Sequence, residues 1–224
     1  MIAAAPIAIS VSPARIALAA PASRAIELRN LGAERVIVDV TRTSVDGRGP
    51  ARGWLRIRPD HLVLRSGSSS VLTLRARGGS GAGPGDHQLR LFFVARPAGA
   101  GRITVRVRLG VAVRVRIPGR TFRRLEVRGL QVRRHRAARV FMVALANTGN
   151  VTEQLRGRLT VTLTRRGRLL SRLRHRSARE LYPGKRAVVA LPYRGGVRGP
   201  VTAVVQVRLG SHARPVVRSY RVRL

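Results

Sequence analysis

The sequence contains no cysteine and only one lysine, Lys185, in 224 residues. Without cysteine, neither a disulfide nor a thiolate metal site can hold the fold together, so packing must do so. Aromatic residues make up only 4% of the chain. This shortage disfavours proteins that bind single-stranded nucleic acid by stacking its bases on exposed rings. No run of about 18 apolar residues occurs, so the sequence predicts no membrane-spanning helix.

Acidic residues are also scarce. Nine aspartates and glutamates face 45 lysines and arginines, which gives a formal net charge of +36. Such a charge attracts nucleic acid, acidic lipid or wall phosphates. A GC-rich coding bias would also place many arginines on solvent-exposed surfaces. The arginine excess therefore has two interpretations, a binding surface or a hydrated one, and both stay open at this point.

The residues that carry most enzyme chemistry are few and scattered. The five histidines show no metal-ligand spacing, and the carboxylates form no acid/base pair along the chain. We therefore expect no catalytic residues, no metal and no cofactor, and we predict that the protein is not an enzyme.

What the sequence has in abundance is apolar and polar residues in alternation, interrupted by Gly, Pro, Asn and Asp. A period of two is typical of half-buried β-strands. About seven such segments occur before residue 118, and the pattern then starts again. We predict an all-β fold of two tandem immunoglobulin-like β-sandwich domains, residues 1–118 and 119–224.

Two short matches support an internal repeat. The turn Asn30-Leu31-Gly32 recurs as Asn147-Thr148-Gly149, and Ser66-Gly67 corresponds to Pro183-Gly184. Both matches have the same offset of 117 positions. Asn and Gly tolerate a positive φ, which lets a strand end in a sharp turn.

The alternation is longest in RITVRVRLGVAVRVRI, residues 102–117, which we predict as the second arm of a hairpin. Its odd positions are apolar and face one side. The other side carries arginines and Gly110, which we expect to mark a bend. These arginines form either a basic strip for an anionic polymer or the hydrated side of a sheet: Arg102, Arg106, Arg108, Arg114 and Arg116.

Several stretches together resemble one family. The succession ISVSPARIAL, AIELRN, GWLRIRPDHLVLRSGSSSVLTL and PGDHQLRLFFVA is similar to the first immunoglobulin-like domain of bacterial cell-surface proteins of the WxL-interacting type. The later stretches VALANTGNV, GRLTVTL and ELYPGKRAVVALPY resemble the second domain of that group. The resemblance implies a surface protein that contacts peptidoglycan and a partner protein. Members commonly end in a transmembrane anchor, which this sequence lacks.

A more distant similarity is to periplasmic pilus chaperones, which have two immunoglobulin-like domains in about this length. It implies that an arginine on the first strand and a lysine on the last strand of domain one anchor the terminal carboxylate of a subunit. Arg15, in SPARIAL, stands at the first position. The lysine is missing, so Arg114 or Arg116 would have to replace it.

We therefore predict a non-enzymatic binding or assembly module of the cell envelope. It would contact wall polymer, an envelope protein or anionic lipid through strand edges and a basic face, with these candidate residues: Arg15, Arg102, Arg106, Arg108, Arg114 and Arg116. The alternatives are a pilus-type chaperone that acts by β-strand donation and, third, a nucleic-acid-binding protein, although we do not expect nucleic acid as a partner.

We expect the protein to work outside the cytoplasm. The opening MIAAAPIAIS lacks the charged start and long apolar middle of a signal peptide, yet AAAP resembles the small-residue end of one. The interpretation is that an export signal preceded this sequence and was removed.

Overall fold

The computed structural model describes residues 7–45, 53–78, 82–99, 105–135, 138–209 and 214–224. Within these ranges every regular element is a β-strand, and no helix that could cross a membrane is found. The chain forms two compact units, residues 1–120 and 121–224. The boundary predicted after residue 118 stays a prediction.

The first unit forms its strands where apolar residues alternate with polar ones, because each strand buries one face and exposes the other. Its strands in the described ranges are β1 (Ile9–Ser12), β2 (Arg15–Ala19), β3 (Ala22–Asn30), β4 (Val36–Ser44), β5 (Leu55–Arg58), β6 (His61–Leu64), β7 (Ser69–Ala76), β8 (Gly85–Pro97) and β9 (Val107–Ile117).

These strands build two sheets. One has the order β1-β3-β7-β5, and the other, called here the five-stranded sheet, has the order β2-β9-β8-β4-β6. All pairs are antiparallel except β2 and β9, which run parallel. The chain passes from one sheet to the other at each connection from β1 to β8, whereas β8 and β9 are neighbours in the same sheet. The sheets bury a common core that includes Ile26, Leu28, Leu72, Leu91 and Phe93.

The second unit contains a similar set of strands. In the described ranges they are β10 (Leu125–His135), β11 (Ala138–Asn147), β12 (Glu153–Gln154), β13 (Leu159–Arg165), β14 (Arg168–Arg174), β15 (Glu180–Leu181), β16 (Arg186–Tyr193), β17 (Pro200–Val207) and β18 (Val216–Arg223).

The main sheets of this unit have the orders β10-β11-β16 and β14-β13-β17-β18, and β12 and β15 form a short additional pair. Phe141 and Tyr193 meet edge to face in the core, with ring centroids 6.1 Å apart. Leu155, Leu159 and Leu163 are fully buried beside them. Each unit thus has its own β-sandwich core, and the predicted fold class of two tandem immunoglobulin-like β-sandwiches is confirmed.

The repeated Asn-x-Gly turns have the same structure in both units. The Asn30 side-chain amide donates to the carbonyls of Glu34, Leu64 and Arg65, and its oxygen accepts from the Gly32 N–H. The Asn147 amide donates to the carbonyls of Val151 and Leu181, and its oxygen accepts from the Gly149 N–H. Each asparagine therefore joins its own turn to a distant segment of its domain.

Strand register extends this equivalence. Val36 pairs with Leu64, and Glu153 pairs with Leu181, which are the same positions shifted by 117. Gly67 and Gly184 have positive φ values of 68° and 72° in the corresponding turns. The two units therefore share their turn geometry as well as their sandwich architecture.

The segment from 102 to 117 is shorter as a strand than predicted. β9 begins at Val107, and Arg102 lies outside the described residues. Pairing with β8 runs from Val107 to Ile117 without a shift in register, so Gly110 does not interrupt the ladder. Gly110 instead leaves space for the ring of Phe92, since a Cβ at position 110 would lie 3.4 Å from it.

Candidate functional site

The last strand of the first domain, β9, is covered unevenly along its two edges. One edge pairs with β8 over the whole length of the strand. The other edge pairs with β2 only from Ala112 to Arg116. Among the described residues no strand pairs with this second edge from Val107 to Val111, and we call this stretch the uncovered edge.

The backbone direction along β9 follows from its hydrogen bonds to neighbouring segments. The Ala112 N–H donates to the Ala14 carbonyl, and the Ala20 N–H donates to the Arg116 carbonyl. Even-numbered residues of β9 therefore direct their N–H and C=O groups away from β8. Because this direction alternates along a strand, Arg108 and Gly110 present their backbone groups at the uncovered edge. These groups form a template for one further strand.

The apolar side chains next to the uncovered edge are only partly buried. Val113 and Val115, where β2 covers the strand, are fully buried. Val107 and Leu109 are half-buried against the core, and Val105, just before the strand, is 51% exposed. The row of alternate apolar residues therefore becomes progressively more open to solvent where the edge loses its partner.

The candidate arginines of β9 have different environments. Arg106 and Arg108 are exposed, whereas Arg114 is half-buried. The guanidinium carbon of Arg108 lies 3.5 Å from the centroid of the Phe92 ring. Phe92 is also the cross-strand partner of Gly110. On the outer face of the five-stranded sheet its ring therefore lies between the Arg108 guanidinium and the space left by Gly110. A cation over an aromatic face is attracted by the ring, so this contact orients the Arg108 side chain.

Arg116 is held by an ion pair that the sequence reasoning did not identify. Its Nε and Nη2 atoms donate to the two carboxylate oxygens of Asp86 at 2.6 and 2.9 Å. The Asp86 side chain is only 1% exposed, and the two residues are direct cross-strand partners. A buried carboxylate needs a charged partner, so this geometry assigns Arg116 a role in the fold of the hairpin.

Arg15 and Arg114 lie on the same outer face as these residues. Arg15 is exposed at the start of β2 and pairs with Ala112, whereas Arg114 pairs with Ala17. The two arginines are thus diagonal neighbours across the parallel pair, and on its other side Arg114 has Gln88 of β8 as its cross-strand partner. This places two guanidinium groups at the end of the uncovered edge, where a carboxylate or phosphate would be attracted.

The structure thus brings Arg15, Arg108, Arg114 and Arg116 together on one sheet face, and Arg106 lies exposed just before β9. These arginines differ in their exposure and in the residues that they contact. Sequence reasoning missed Asp86, Phe92 and the uncovered edge. Neighbours across β8 and β9 depend on the hairpin register, which the RPAGAG connection does not specify. In the described ranges no group of three His, Cys, Asp or Glu side chains could hold a metal ion.

Comparison with known proteins found similarity in structure but not in sequence. No family model matches the chain. No curated protein matches it in sequence either. The resemblance to WxL-interacting proteins and the expected wall binding therefore receive no support from these comparisons.

The solved structures that resemble the chain include fimbrial chaperones. A chain from a chaperone–tip adhesin complex of CFA/I fimbriae superposes with a TM-score of 0.57 at 13% identity, covering 95% of this chain and 98% of that one. The class 5 fimbriae chaperone CfaA gives 0.56 at 11% identity, with 95% and 98% covered.

A third structure, of the Salmonella enterica SafA pilin with the SafB chaperone, gives a TM-score of 0.52 at 12% identity, with 97% and 99% covered. Identities this low show the fold alone. The chain is therefore similar, over nearly its whole length, to the two-domain β-sandwich fold found among fimbrial chaperones.

Proposed function

We propose that this protein is an assembly chaperone of the cell envelope that acts outside the cytoplasm and holds an extended segment of a partner protein along β9. The uncovered edge from Val107 to Val111 is the observation that carries the proposal. An incoming strand would pair with the backbone of Arg108 and Gly110. Its side chains would lie beside the partly exposed apolar side chains of Val105, Val107 and Leu109. Recognition of this kind obtains affinity from main-chain hydrogen bonds and specificity from alternate side chains.

The fold comparison supports the same proposal. The similar structures include the class 5 fimbriae chaperone CfaA and a complex of SafA pilin with the SafB chaperone. The edge is five residues long and presents backbone N–H and C=O groups. An extended segment of an envelope protein would match these groups better than a small ligand would.

Arg15 and Arg114 provide a second element of the site. They lie beyond the point where β2 begins to cover β9, on the outer face. A strand that ends here would bring its terminal carboxylate close to two guanidinium groups. We propose that Arg15 and Arg114 make this contact because of their position at the end of the uncovered edge, and we assign Arg116 to the fold because it forms a bidentate ion pair with the buried Asp86.

An anionic wall polymer is less well supported as the partner. A basic strip for a polymer needs several arginines whose charges face solvent together. On β9, Arg116 is held by a carboxylate, Arg108 is stacked on Phe92, and Arg114 is half-buried. Nucleic acid has less support still, because Trp54 is buried in the core and Phe92 already contacts Arg108.

The experiment that tests the proposal separates the backbone of Arg108 from its side chain. The full-length protein is co-expressed with a candidate fimbrial subunit, and the subunit recovered with the tagged protein is quantified. Arg108→Pro removes the N–H that faces the uncovered edge but leaves the ladder to β8 intact, as proline allows on an edge strand. Arg108→Ala is the matched control, since it removes the same side chain and keeps the N–H.

We expect Arg108→Pro to lower subunit recovery about fivefold or more and Arg108→Ala to lower it less than about twofold, because only the first variant loses a main-chain donor. Far-ultraviolet circular dichroism verifies that both variants are folded. Equal losses in the two variants would assign binding to the side chain, and strand addition at this edge would be rejected.

A further inference from the structure

A cavity of 810 Å³ lies at one end of the β14-β13-β17-β18 sheet in the second domain. Five of its ten lining residues are arginines, and none is an aspartate or glutamate. The arginines come from three separate segments of the chain: Arg165, Arg166, Arg168, Arg198 and Arg221. Tertiary structure therefore brings arginines from distant segments of the chain together at this cavity.

Arg165 is fixed at this cavity by hydrogen bonds to the backbone. Its Nε donates to the Pro200 carbonyl at 3.2 Å, and its Nη2 donates to the Arg198 carbonyl. These contacts hold the planar guanidinium against the start of β17. A positioned guanidinium loses less conformational freedom on binding an anion than a freely rotating one does.

Arg166 occupies a backbone conformation that arginine rarely adopts. It has a φ of +46° and is followed by Gly167 with a φ of +80°, in the two-residue turn between β13 and β14. Asn-Gly is the usual sequence for such a turn, because both positions need a positive φ. An arginine here is maintained at a conformational cost, and its side chain lines the cavity.

The remaining lining residues extend the chemistry of the cavity. Thr164 and Thr202 are direct cross-strand partners, and both line it, so their hydroxyl groups can add hydrogen bonds to an anion. Leu170, Pro200 and Val201 supply apolar wall. The volume exceeds what one inorganic phosphate fills, so an organic group next to the anion can also be accommodated.

We propose that this cavity binds a ligand that carries two or more neighbouring phosphate groups. Five guanidinium groups that line one cavity without a carboxylate repel one another, and a multivalent anion relieves this repulsion. Guanidinium forks also match the oxygen geometry of phosphate. The site is independent of the strand addition proposed at β9, since every lining residue belongs to the second domain.

The test measures binding of pyrophosphate to the full-length protein by isothermal titration calorimetry. The salt concentration is about 150 mM, where the Debye length of about 8 Å suppresses long-range attraction by the net charge. The site variant is Arg168→Gln/Arg221→Gln. The control variant, Arg176→Gln/Arg186→Gln, loses the same charge at exposed positions of the same domain outside the cavity.

We expect one saturable site that binds pyrophosphate more tightly than inorganic phosphate. The site variant should raise its dissociation constant about tenfold or more, because charge-assisted hydrogen bonds are lost, and the control should change it less than about twofold. Equal weakening in both variants, or no saturable binding by the unmodified protein, would overturn the proposal.

Arg166→Asn is a second variant, in which weaker binding could not be attributed to unfolding. Asparagine suits the turn better, so the variant should be at least as resistant to unfolding as the unmodified protein while binding pyrophosphate more weakly. Unchanged affinity would show that Arg166 has no part in the site.

Vesicles distinguish the two sources of such a ligand. Phosphatidylcholine vesicles with a bisphosphorylated inositol lipid are compared with pure phosphatidylcholine in a sedimentation assay. Binding that needs the phosphorylated lipid and is lost in the Arg168→Gln/Arg221→Gln variant assigns the site to a lipid headgroup. Binding of pyrophosphate alone assigns it to a soluble ligand.

Discussion

Asn30 and Asn147 make equivalent buried hydrogen bonds in the two domains. Asn30 donates to the carbonyls of Glu34, Leu64 and Arg65, and Asn147 donates to those of Val151 and Leu181. Each accepts from the N–H two residues later, and each is 1% exposed or less. The carbonyl partners include one four residues away and one on a segment about 35 residues away. A single side chain thus closes a turn and connects it to the opposite side of its sandwich.

Asn30→Ala should destabilise the first domain by about 3 kcal/mol, because the buried Gly32 N–H and Leu64 carbonyl lose their hydrogen-bond partner. Trp54 is the only tryptophan and is buried in this domain, so its fluorescence during urea denaturation follows the relevant transition. Ser23→Ala, at an exposed position of the same strand, should change stability by less than about 0.5 kcal/mol. Similar effects of the two variants would contradict the role given to Asn30.

Arg116→Gln should destabilise the first domain by about 2 kcal/mol, since it leaves the buried carboxylate of Asp86 without its bidentate partner. The value lies below that of a fully buried pair because the Arg116 side chain is 44% exposed. Arg106→Gln is the control, because Arg106 is exposed one residue before the same strand, and it should have almost no effect. Trp54 fluorescence in urea again gives the measurement, and equal stabilities of the two variants would remove the distinction drawn between these arginines.

His175 should make the second domain less stable in mild acid. Burial, and then the nearby Arg179 charge, lower the pKa of His175 below its usual 6.5. Its Nε2 atom is buried and has no hydrogen-bond partner in the described structure. As pH falls below 6.5 the unfolded chain therefore binds the proton first, and the stability present above this pH is progressively lost.

Circular dichroism during urea denaturation at about pH 7.5 and about pH 5.5 tests this dependence. The His175→Asn variant lacks the titrating group and should lose less stability between these two conditions. If both proteins respond alike, other groups are responsible for the pH dependence.

Arg166→Gly should stabilise the hairpin of β13 and β14 by about 1 kcal/mol, because glycine adopts a positive φ without the steric cost that arginine has. The gain would appear as a higher urea midpoint followed by circular dichroism. Arg168→Gly, at the next non-glycine position, is the comparison: it begins a strand, where glycine should reduce stability. A loss of stability in Arg166→Gly would mean that contacts of the arginine side chain outweigh its backbone cost.

The alternation of apolar and polar residues was sufficient to predict the strands that contribute most to each core. Val111, Val113, Val115 and Ile117 are buried as their odd positions predict. The shared offset of two turns also predicted that the sandwich recurs. These are local properties, because a period of two determines which side chains share a face, and Asn or Gly determines where a strand can turn.

Some of the short strands escaped prediction. β2 and β6 have five and four residues, and β12 and β15 have two each, so none shows a sustained period. Their positions matter nonetheless. Pairing of β2 with β9 begins only at Ala112, so Val107 to Val111 remain as the uncovered edge. How far one strand accompanies another depends on pairing between residues about 100 positions apart.

The sequence by itself therefore determined the class of fold, the faces of the main strands and the excess of positive charge. Only the tertiary structure decided how the arginines differ. It paired Arg116 with Asp86, stacked Arg108 on Phe92 and gathered five arginines from three segments around one cavity. The physical reason is that charge and periodicity are local properties of the chain, whereas ion pairs, edges and cavities arise from register and contact between distant segments.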